Sequence, residues 1–62
     1  MNTDNKNLHE ALDYITKALV SIKQAIIDFE KQKDFERVHE LEILKGNLEM
    51  SQKIIQYGLF HN

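Results

Sequence analysis

Cysteine and proline are absent from this chain, and glycine occurs only twice, at Gly46 and Gly58. The lack of cysteine excludes disulfides and thiolate metal sites, two of the supports that let a chain of 62 residues hold a fold. Oligomerisation is the support that remains. No apolar run approaches the roughly 18–20 residues that span a bilayer, which speaks against a membrane protein. The polar start, Met1-Asn-Thr-Asp-Asn-Lys6, does not read as a secretory signal, so the expected compartment is the cytoplasm. Charge of one sign is also lacking. Eight basic residues oppose ten acidic ones, giving a net charge of −2, and the signs alternate without blocks. Neither the basic footprint of a nucleic-acid binder nor the dense acidity of a DNA mimic is present. Arg37 is the lone arginine, and with abundant Ile and Asn this fits an AT-rich bacterial or phage genome.

What the chain does have is helical periodicity. Leu8, Leu12, Ile15, Leu19, Ile22, Ile26 and Phe29 recur in steps of four and three, an unbroken heptad seam. Ala11, Ala18 and Ala25 run beside it and let a neighbouring helix approach closely, while Val20 and Ile27 add apolar surface beyond it. The pattern predicts a first helix over about 8–31, with Asn7 as N-cap and Glu10 reaching back, behind a flexible tail over residues 1–6. Glu30-Lys-Gln-Lys-Asp34 then interrupts the seam. Asp34 is suited to cap a second helix, predicted over about 35–57, with Glu36 near its positive end. The predicted fold is all-α. It is an antiparallel two-helix hairpin forming one domain over residues 7–60 and pairing into a dimeric four-helix bundle. One continuous helix is the competing reading, because no Pro or Gly precedes Gly46; it would put Lys33, Glu36 and Glu40 at successive seam positions. Gly46 is expected either to kink or split helix 2 or to mark a close helix contact. Gly58 is expected to take a left-handed stop position, with Leu59 folding back against Ile54.

The second helix carries two apolar stripes. At about 100° per residue, Val38, Leu41, Leu44, Leu48, Ile55 and Leu59 share one side. Ile43, Met50, Ile54 and Tyr57 fall on nearly the opposite side. A helix docked on one neighbour needs one stripe, so the second implies another partner, either a second copy of the chain or a different protein. Ile43, Met50, Ile54, Tyr57 and Phe60 are the candidate interaction surface. Tyr57, Leu59 and Phe60 can serve as an aromatic-rich anchor or as the seal of the core at the end opposite the loop.

Signs of enzymatic chemistry are few. No Gly-rich phosphate loop occurs, and Ser21 and Ser51 fall in mid-helix without the strained turn that exposes a nucleophile. The carboxylates form no recognisable acid–base pair, and two helices leave little room for a concave pocket. The expectation is a non-enzymatic regulator, inhibitor or adaptor that binds itself and another protein, with no cofactor. The alternative is a self-assembling structural bundle holding a metal through Glu36 and His39, a Glu-x-x-His unit, with a dimer assembling the set and Glu30 or Glu10 as the extra ligand. His9, His39 and His61 read otherwise as solvated side chains.

The stretch from Ile22 to Leu48 resembles the UVR motif, the short helical hairpin of excision-repair proteins and some protease-associated adaptors. Ile22 and Ile26 match its first helix, Asp34-Phe35-Glu36 its turn, and Val38, Leu41 and Leu48 its second helix. Phe29 stands where the family prefers Ala, and Glu42-Ile43 replaces its Arg-Asp. The resemblance implies docking on another protein's hairpin by helix–helix contact.

Overall fold

A computed structural model of the protein describes residues 3–60 and contains two helices, α1 (Thr3–Lys31) and α2 (Phe35–Phe60), with no strand among the described residues. They fold back on one another as a hairpin 50 Å long and 14 × 11 Å across. The seam of α1 faces α2 along its whole length. Leu19 and Ile26 are the core residues, at 5% and 6% exposure, and Leu8, Leu12, Ile15, Ile22 and Phe29 are half-buried around them. A heptad repeat makes this possible, because it keeps the same residues turned toward a slowly coiling neighbour.

The turn satisfies the helix ends with backbone bonds. The Asp34 N–H donates to the Phe29 carbonyl at 2.9 Å, and the Lys33 N–H donates to the Glu30 carbonyl at 3.0 Å. This nested pair is the Schellman arrangement, and it needs a left-handed residue at the position of Lys33, whose φ is 60°. Asp34 then starts α2. Its carbonyl accepts from the Val38 N–H at 3.1 Å, and its carboxylate accepts from the Arg37 N–H at 3.3 Å. The Arg37 guanidinium sits 5.7 Å from the centre of the Phe29 ring, tying the first turn of α2 to the last turn of α1. The two bonds at Lys33 and Asp34 break the chain where the polar cluster indicated, and the continuous helix is excluded.

Several expectations shift. Helix α1 begins at Thr3, so residues 3–6 are helical and Asn7 lies inside the helix rather than capping it. Met1 and Asn2, the rest of the expected tail, lie outside the described residues, as do His61 and Asn62. Helix α2 runs through both glycines to Phe60 without interruption, and neither glycine has a positive φ. Gly58 therefore does not stop the helix. A side chain there would meet Leu8 Cδ1 at 3.8 Å, so Gly58 lies in the contact with the start of α1, and Leu59 belongs to the inner seam.

Lysine in the left-handed region carries a steric cost that glycine lacks, about 1–2 kcal/mol. Part of that advantage is offset by the greater freedom glycine gives the unfolded chain. Lys33→Gly should therefore stabilise the hairpin by about 0.5–1 kcal/mol, read as a thermal midpoint raised by a few degrees. A lowered midpoint would show that the Lys33 side chain contributes more than its backbone costs.

Candidate functional site

The inner seam of α2 follows the phase of α1. Half-buried positions recur at Val38, Leu41, Lys45, Leu48, Gln52, Ile55 and Leu59, in steps of three and four. Leu44, expected on this side, is instead 44% exposed, and Lys45 takes the seam position. The stem of Lys45 covers apolar surface while its ammonium reaches the Glu42 carboxylate at 3.5 Å. Gln52 is a second polar group in the seam. Its side-chain amide donates to Thr16 Oγ1 at 3.2 Å, and that hydroxyl donates to the Leu12 carbonyl at 2.8 Å. Satisfied in this way, Gln52 fixes which turn of α1 faces which turn of α2.

On the far side of α2, Ile43, Met50, Ile54 and Tyr57 are 54–66% exposed. Their positions again step by seven, from 43 to 50 to 57, and Asn47 lies seven before Ile54. The outer face is thus a second heptad seam, Ile43, Asn47, Met50, Ile54 and Tyr57. At about 100° per residue it is centred about 170° from the inner seam. Two opposed stripes cancel in a helix-wide measure of amphipathicity, and α2 as a whole is far less amphipathic than α1. Phe60 is 79% exposed at the end of the helix, but it lies about 60° around the axis from Tyr57 and flanks the stripe rather than extending it. Tyr57 and Phe60 do not seal the core.

Asn47 escaped the sequence reading because a search for apolar residues passes over a polar one in the stripe. Its seven-residue spacing from Ile54 was the signal available. Glu36 and Glu40 continue the same phase upstream, and both are exposed. Beyond Glu49, Lys53 is the one charged side chain of α2, so the outer face runs from acidic at its start to weakly basic toward its end. Gly46 borders the stripe, and a side chain added there would meet nothing within 4 Å. The expected close contact at Gly46 is not made within the chain.

The other candidate chemistry does not converge. Glu36 and His39 are both exposed, and no group of three His, Asp or Glu among the described residues is placed to hold a metal ion. Ser51 Oγ donates to the Asn47 carbonyl at 3.1 Å. No pocket is found among the described residues, and no helix there is long and apolar enough to cross a membrane. Comparison with known protein families, curated proteins and solved structures finds no match.

Because Gly46 is helical, exposed and unopposed, Gly46→Ala should raise stability by about 1 kcal/mol without disturbing the hairpin. Chemical denaturation of the two proteins checks this. An unchanged or lowered stability would mean that the helix needs the freedom of glycine at that point.

Proposed function

We propose that this chain is a small non-enzymatic protein-interaction module, a regulator, inhibitor or adaptor from a bacterium or phage, working in the cytoplasm. It acts by burying the outer face of α2 against helices of another protein, and two copies pair through the same kind of contact to give four helices in all. The observation that carries this reading is the exposure of Ile43, Met50, Ile54 and Tyr57 on a helix whose opposite side is already packed. A row of large apolar side chains in solvent costs free energy that only a partner surface can recover. The resemblance of residues 22–48 to the UVR-type hairpin supports the same mode of action, docking by helix–helix contact. The balanced, slightly acidic charge favours protein over nucleic acid as the partner.

If the two stripes have separate tasks, substitutions should separate them. Ile43→Asp and Met50→Asp should leave the helical circular dichroism signal nearly intact while abolishing association with the protein's partners. Leu41→Asp and Leu48→Asp should unfold the chain, since a carboxylate in the seam with α1 cannot be buried unpaired. Outer-face variants that stay folded and keep every association would overturn the proposal.

A further inference from the structure

We draw no further inference here: the strongest candidate, the exposed apolar stripe of Ile43, Met50, Ile54 and Tyr57 on the outer face of α2, belongs to the surface already described, and nothing in the structure shows what covers it.

Discussion

Packing between the heptad seam of α1 and one side of α2 is the contact on which the whole structure depends. It buries Leu19 and Ile26 and leaves the other side chains among the described residues at least partly exposed. Two helices side by side cannot enclose an interior, and the result is a rod. Its radius of gyration is 14.5 Å, against about 11 Å for a compact chain of this length. Because α1 can cover only one side of α2, the apolar residues on the other side remain in water. The extended shape, the thin core and the candidate binding face are three consequences of one geometric limit.

Polar groups give this simple contact its precision. Apolar seams tolerate sliding by a heptad, since one leucine or isoleucine packs much like another. The bond from Gln52 to Thr16 and the short turn through Lys33 remove that freedom, one in mid-hairpin and one at its end. The surface ion pairs Lys17–Asp13 and Lys45–Glu42 each lie within a single helix and contribute little to the choice of fold.

Much of the hairpin was legible in the sequence, for physical reasons that differ by element. The seam of α1 could be read because all of its positions are apolar, and the break could be read because five polar residues end it. The opposed stripes of α2 were visible for the same reason. Lys45 and Gln52 were not, since a seam position held by a long or hydrogen-bonding side chain carries no hydrophobic signal; Leu44, one residue away, drew the assignment instead. The ends were misread because capping residues and glycine express only a local preference, which does not by itself end or start a helix. Asn7 has the capping chemistry but is followed and preceded by helix, and Gly58 is held helical beside Leu8. Lys33 shows the reverse, a left-handed position filled by a residue that gives no hint of it.

The central claim is that this hairpin leaves α2 half-satisfied, so that its stability depends on what covers the outer face. Thermal unfolding followed by circular dichroism at about 5 µM and about 500 µM tests this most directly, because a fold that gains stability by association melts higher when it is more concentrated. The account predicts a midpoint that rises by several degrees across this range. A midpoint independent of concentration, with a sharp cooperative transition, would contradict it, because the seam between α1 and α2 would then suffice alone.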